Sequence, residues 1–112
     1  MNENCTIYRT ADFIGKKWTI PIILELYKKK KRYSELKKSL VNITPKILST
    51  RLKELEKEKI INNSKSQIRS EYFLTKSGKE FVPIIKDMKK WALKNKFKNK
   101  LCSETNCKHC EF

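Results

Sequence analysis

The chain has 112 residues, with 27 lysines and arginines against 12 aspartates and glutamates, for a formal net charge of +15. That length predicts one domain with one modest core, and the charge points to a polyanion, of which nucleic acid is the commonest in a cell. No apolar run approaches the roughly 18 residues of a membrane span, the polar start MNENCTIYRT is not a secretory signal, and neither Gly15 nor Gly78 belongs to a glycine-rich phosphate loop.

In chain order, a weak helical signal runs from Tyr8 to Phe13 and stops at Gly15. Trp18, Ile20, Ile22, Ile23, Leu24, Leu26 and Tyr27 make the next segment apolar on most sides, which predicts a buried helix. Pro21 belongs in its first turn, so the helix starts near Trp18 or Thr19. Lys28, Lys29, Lys30, Lys31 and Arg32 form a positive run too charged to be core. Tyr33, Leu36 and Leu40 predict a short helix over 33–40. Thr44 is a good N-cap, and Pro45 suits the first helical position. Ile47, Leu48, Leu52 and Leu55 then give one apolar face, opposite Lys46, Ser49, Thr50 and Lys53, in a helix from Thr44 to Lys57.

Ile60 and Ile61 open a strand, 62–67 is turn-forming, and Glu71 to Leu74 returns. This is a β-hairpin with a basic tip carrying Lys65 and Arg69. Thr75 caps a long amphipathic helix whose apolar positions are Phe81, Ile84, Ile85, Met88, Trp91 and Ala92. It runs to about Lys98, with a kink or restart expected at Pro83. Residues 1–98 read as the domain and 99–112 as an aperiodic, cysteine-rich tail.

Two short helices joined by a tight turn, the second basic on one face and followed by a hairpin, make a winged helix-turn-helix. The fold class is mainly α with a β-hairpin wing. The second helix fits the major groove of double-stranded DNA, with side chains near its N-terminus at base edges. Lys46, Ser49, Thr50 and Lys53 are the expected major-groove and flanking phosphate contacts, with Thr44 beside them. Arg32, Ser34 and Lys37 are placed for phosphate, and Lys65, Gln67 and Arg69 for the backbone beside the wing. Arg51 reads as an intramolecular partner of Glu54 or Glu58, and Trp18 and Trp91 as packing.

Four cysteines, Cys5, Cys102, Cys107 and Cys110, avoid the middle of the chain. In a cytoplasmic protein a disulfide framework is disfavoured. Cys107-x2-Cys110 is a chelating spacing, and with Cys102 and either His109 or Cys5 it would complete a tetrahedral zinc site. The same thiols read equally as a redox pair or as a tail with no role, and nothing else calls for a cofactor. No nucleophile stands with a base and no acid pair stands out, so an enzyme is not expected.

Several blocks occur in register: Cys5 thirteen residues before Trp18, IGKKWTIPIILEL at 14–26, KRYSELKKSL at 31–40, ITPKILSTRLKELEKEKII at 43–61 and EYFLTKSGKEFVPII at 71–85, with Trp91 beyond. In these blocks the chain resembles the HxlR-type winged-helix transcription regulators over about residues 5–93. It departs at Lys16, where the family has a second glycine, near Lys59, where a glycine is common, and in a shorter hairpin tip. The resemblance implies a cytoplasmic homodimer on pseudo-palindromic promoter DNA, paired through residues 1–27 and 76–98. It also implies a thiol sensor at Cys5, which in some relatives pairs across the dimer with a cysteine near the C-terminus. The bottom-up reading agrees on a dimer, since the apolar face of the last helix is longer than one small domain can bury. Two rivals to a sequence-specific regulator remain open: a non-specific basic nucleic-acid-binding protein, and a redox or metal-handling protein acting through the tail.

Overall fold

The computed structural model describes residues 4–64 and 70–110. Six helices and a small sheet follow one another as α1 (Thr6–Ile14), α2 (Thr19–Lys28), β1 (Lys31–Arg32), α3 (Tyr33–Ser39), α4 (Pro45–Lys57), β2 (Ile61–Asn63), β3 (Glu71–Leu74), α5 (Lys76–Asn95) and α6 (Lys100–Glu104), ending in a 3-10 turn at Cys107–His109. The sheet is antiparallel in the order β1-β3-β2. Lys31 pairs with Tyr72, and Ile61 with Leu74. The hairpin tip at 65–69, with Lys65, Gln67 and Arg69, lies outside the described residues.

The core is where the apolar periodicities converge. Ile22, Ile23 and Leu26 of α2 meet Leu36 and Leu40, Ile43, the α4 stripe Leu48, Leu52 and Leu55, then Ile61, Leu74, Val82 and Ile85. Each such side chain withdrawn from water contributes roughly 1.5–3 kcal/mol before chain entropy is counted. The helix α4 starts as its sequence requires: the Thr44 hydroxyl accepts from the Ile47 amide at 3.2 Å, and Pro45 occupies the first turn. It stops in a two-bond C-terminal clasp, with the Ile60 amide on the Leu55 carbonyl and the Lys59 amide on that of Glu56, both at 3.0 Å. This clasp holds Lys59 left-handed, at φ 61°. The turn between α3 and α4 uses Asn42 at φ 75°, a residue that tolerates that region.

Three expectations are corrected. The run at 28–32 is not wholly solvated: Lys31 is only 6% exposed and lies in β1. Its ammonium meets Glu25 Oε1 at 2.6 Å, while Lys28 holds Oε2 at 2.7 Å, so a buried carboxylate brings the lysine in. Secondly, α5 does not restart at Pro83 and ends at Asn95 rather than near Lys98. Pro83 faces solvent, where the freed carbonyl can be hydrated, while Val82 and Ile85 anchor the helix on the core side. Thirdly, the tail has structure. Asn99 caps α6 by accepting from the Cys102 amide at 3.0 Å, and Asn106 caps the final turn by accepting from Lys108 at 2.9 Å. Lys108 reaches over the Tyr27 ring, 6.0 Å from its centroid, and so folds the tail back on α2.

Candidate nucleic-acid interface

Burying Leu48, Leu52 and Leu55 fixes the rotation of α4. Lys46, Thr50 and Lys53 are therefore exposed, with Ser49 half-buried beside them. The spacing from 46 to 49, 50 and 53 puts all four on one face. Lys46 and Lys53 form no ion pair with a described carboxylate, whereas the Thr50 hydroxyl donates back to the Lys46 carbonyl at 2.8 Å. A basic rod with short polar side chains, ending in the positive pole of the helix dipole at Thr44, is suited to entering a groove lined with phosphates.

The preceding helix α3 is locked to this rod by a contact that sequence reasoning missed. The Tyr33 hydroxyl donates to the Pro45 carbonyl at 3.2 Å, tying the start of α3 to the start of α4. Arg32 caps α3 and is exposed; its amide donates to Glu35 Oε1 at 3.0 Å, and its guanidinium lies 3.5 Å from the same oxygen. That backbone hydrogen bond is the main reason the Glu35 carboxyl is held below its ordinary value. Ser34 is exposed and Lys37 half-buried, both in the first turns of α3. Residues 32–37 and 46–53 thus belong to two helices joined at their N-terminal ends.

Arg51 does not belong to that face. Its Nε donates to the Lys17 carbonyl at 2.9 Å, and its Nη1 meets Glu54 at 3.0 Å. Lys16, at the position of the missing glycine, also pairs with Glu54, at 2.7 Å. The Lys16 hydrogen bond is the largest influence on Glu54, whose carboxyl is held below its ordinary value. Together these contacts fasten the loop between α1 and α2 to the side of α4. A repeated glycine signal could not have revealed them, because here lysine replaces backbone freedom with an ion pair.

Away from this surface, α1 buries none of its residues and exposes Ile7 and Tyr8. On α5, Ile84, Met88 and Trp91 are all about half exposed or more and form a stripe, while Ile85 of the same expected face is buried. Cys5 is half-buried at the N-cap of α1, where its carbonyl accepts from the Arg9 amide at 3.0 Å. Cys102, Cys107 and Cys110 are half-buried and His109 is exposed. Among the described residues no three or more His, Cys, Asp or Glu side chains come together as a metal-holding group, and no helix is long and apolar enough to cross a membrane.

The profile of the HxlR-like helix-turn-helix family matches residues 13–100. The chain belongs to that family. It is 36% identical over 95 residues to the HTH-type transcriptional regulator YvaP of Bacillus subtilis (strain 168), an alignment covering 81% of this chain and 88% of that protein. Its fold is similar to that of the reduced form of the transcriptional regulator YodB from B. subtilis, with TM-score 0.76, 28% identity and coverage of 86% and 98%. It is similar also to the redox regulator HypR in its oxidized form, with TM-score 0.72, 32% identity and coverage of 83% and 99%. The winged helix-turn-helix is the fold of this chain.

Proposed function

We propose that this HxlR-family chain is a cytoplasmic, sequence-specific DNA-binding transcription regulator that acts as a homodimer on a pseudo-palindromic operator. The observation that carries the reading is the outward face of α4, where Lys46, Thr50 and Lys53 stand exposed beside Ser49 on a helix whose opposite side is core. These residues and Thr44 enter the major groove and its rim, and Arg32, Ser34 and Lys37 hold the flanking phosphates. From the sequence, Lys65, Gln67 and Arg69 of the wing lie along the adjacent backbone. The exposed stripe on α5 and the uncovered α1 supply the pairing surface. A two-fold axis there sets the two recognition helices about 34 Å apart, one turn of DNA.

The reading needs no cofactor and no enzymatic step. Cys5 serves it as a thiol switch, because modification at the start of the uncovered α1 alters dimer geometry and so the separation of the two helices. Likeness to regulators named for their redox state supports this role.

Selection of bound duplexes from a random pool at physiological salt tests the proposal. A single palindromic consensus, with half-sites one helical turn apart, is expected. With six to eight basic side chains of the dimer on phosphates, log affinity against log salt should have a slope of about −5 to −7. Equal affinity for every duplex at fixed salt would leave only a non-specific basic protein.

A further inference from the structure

The last described turn sets two cysteines three residues apart. Cys107 opens the 3-10 turn and Cys110 closes it, with the Cys110 amide on the Cys107 carbonyl at 3.3 Å. Side chains three apart in such a turn eclipse, and a rise of about 2 Å per residue sets their Cα atoms about 6 Å apart. That spacing lies within the range a disulfide spans. Both cysteines line one cleft of about 230 Å³ with Pro21, Leu24 and Leu40 and with the paired Glu25 and Lys28. The turn is also held from outside: Lys89 of α5 donates to the Thr105 carbonyl at 2.6 Å and to Cys107 Sγ at 3.7 Å. Among the described residues no third His, Cys, Asp or Glu joins the pair in a metal-holding group, which favours sulfur exchange over chelation.

We propose that Cys107 and Cys110 form a dithiol site that closes to an intrachain disulfide by exchange with small-molecule disulfides, independently of Cys5 and of DNA binding. The thiolate of one cysteine attacks a sulfur of the reagent R–S–S–R, forming a mixed disulfide and releasing R–S⁻. The thiolate of the second attacks the protein sulfur of that mixed disulfide and expels the other R–S⁻. Both leaving thiolates take up the protons given by the cysteines. The protein loses two hydrogens and two electrons, and the reagent is reduced to two thiols.

The test uses the full chain with Cys5→Ser, equilibrated in mixtures of reduced and oxidised glutathione, then acid-quenched and mapped by mass spectrometry. The expected product is a monomer lighter by two hydrogens, with Cys107 linked to Cys110. Cys110→Ser should instead trap the glutathione adduct on Cys107. Unfolding the chain in urea should lower the exchange equilibrium constant about tenfold, since the built turn is lost. A link through Cys102, links between chains only, or a constant unchanged by urea would overturn the proposal.

Discussion

Replacing Lys31 with methionine tests whether the buried ammonium organises the fold. The substitution keeps most of the apolar stem but leaves Glu25, only 9% exposed, without its 2.6 Å partner. Removing one member of a buried ion pair costs about 3–5 kcal/mol when the other charge is stranded. Here Lys28 still holds the second oxygen at 2.7 Å, so the expected loss is about 2–3 kcal/mol. At about 4 °C per kcal/mol for a domain of this size, the melting temperature should fall by about 8–12 °C. The double variant Glu25→Gln/Lys31→Met removes both buried charges, leaves only the half-buried Lys28 without its carboxylate, and should recover about half of that loss. Urea unfolding with an unchanged m-value would confirm that stability, and not the compactness of either state, has moved. A single variant within about 0.5 kcal/mol of the parent would show that Lys31 behaves as a surface lysine and would refute the reasoning. The pH dependence gives a second reading. Burial, the largest single influence on Glu25, pushes its pKa up, but hydrogen bonds from Lys28 and Lys31 and their charges together hold it below the ordinary 4.5. A depressed carboxylate stabilises the fold fully above 4.5 and loses that contribution as pH falls through the folded value. Below pH 4.5 the stability of the parent should therefore fall more steeply with acid than that of the double variant, where the contribution is absent.

Other substitutions separate the roles of the remaining parts. Lys53→Ala should leave thermal stability within about 0.5 kcal/mol of the parent. If Lys53 meets phosphate in both protomers, the same change should flatten the salt slope of DNA binding by about 1.8, at about 0.9 per contact. Gly78→Ala places a methyl group against the Ile60 carbonyl oxygen, where α5 begins beside the end of α4. It should cost about 2 kcal/mol in chemical denaturation. Lys59→Gly relieves a left-handed backbone worth about 1–2 kcal/mol and pays about 0.4–1 kcal/mol in unfolded-state entropy, so calorimetry should show a net gain of about 0.5–1 kcal/mol. Trp91 is 59% exposed, so Trp91→Glu should stay folded yet sediment as a monomer, with operator affinity about a hundredfold weaker once the two half-sites are read separately.

How far these features could be read in advance depended on whether their cause was local. The start of α4 was legible because Thr44 and Pro45 act on adjacent amides, and its facing was legible because Leu48, Leu52 and Leu55 keep helical period. The strand β1 was not. Its residues are Lys31 and Arg32, and what draws Lys31 inward is a carboxylate on α2. A signal did exist: Glu25 is the one acidic residue in TIPIILELYK, set between the apolar Leu24 and Leu26, and a charge in a buried helix calls for a partner. The hydroxyl of Tyr33 was likewise hidden, since at the sequence level the ring already satisfied the apolar pattern of α3. In the tail, Asn99 and Asn106 are N-caps that pattern matching passes over when the helices they start are a single turn long.

The same distinction bears on the net charge of +15. Taken as a sum, it suggests a diffuse attraction to any polyanion. The fold divides it. Lys31 is held by Glu25 and Lys16 by Glu54, which fastens β1 to α2 and the loop after α1 to α4, while Lys28 and Arg51 pair with the same two carboxylates from within α2 and α4. Lys46 and Lys53 are left without a described carboxylate partner on α4, whose opposite side the core fixes. An evenly spread charge would bind through any face and in any register. A pair of cations at fixed height on a rigid rod, with Thr50 and Ser49 between them, prefers one orientation to the duplex, and orientation is what lets short polar side chains read bases. Exchanging Lys53 with a neutral residue on an unrelated face would keep the net charge and destroy that orientation, which is why specificity, more than affinity, is the property to measure.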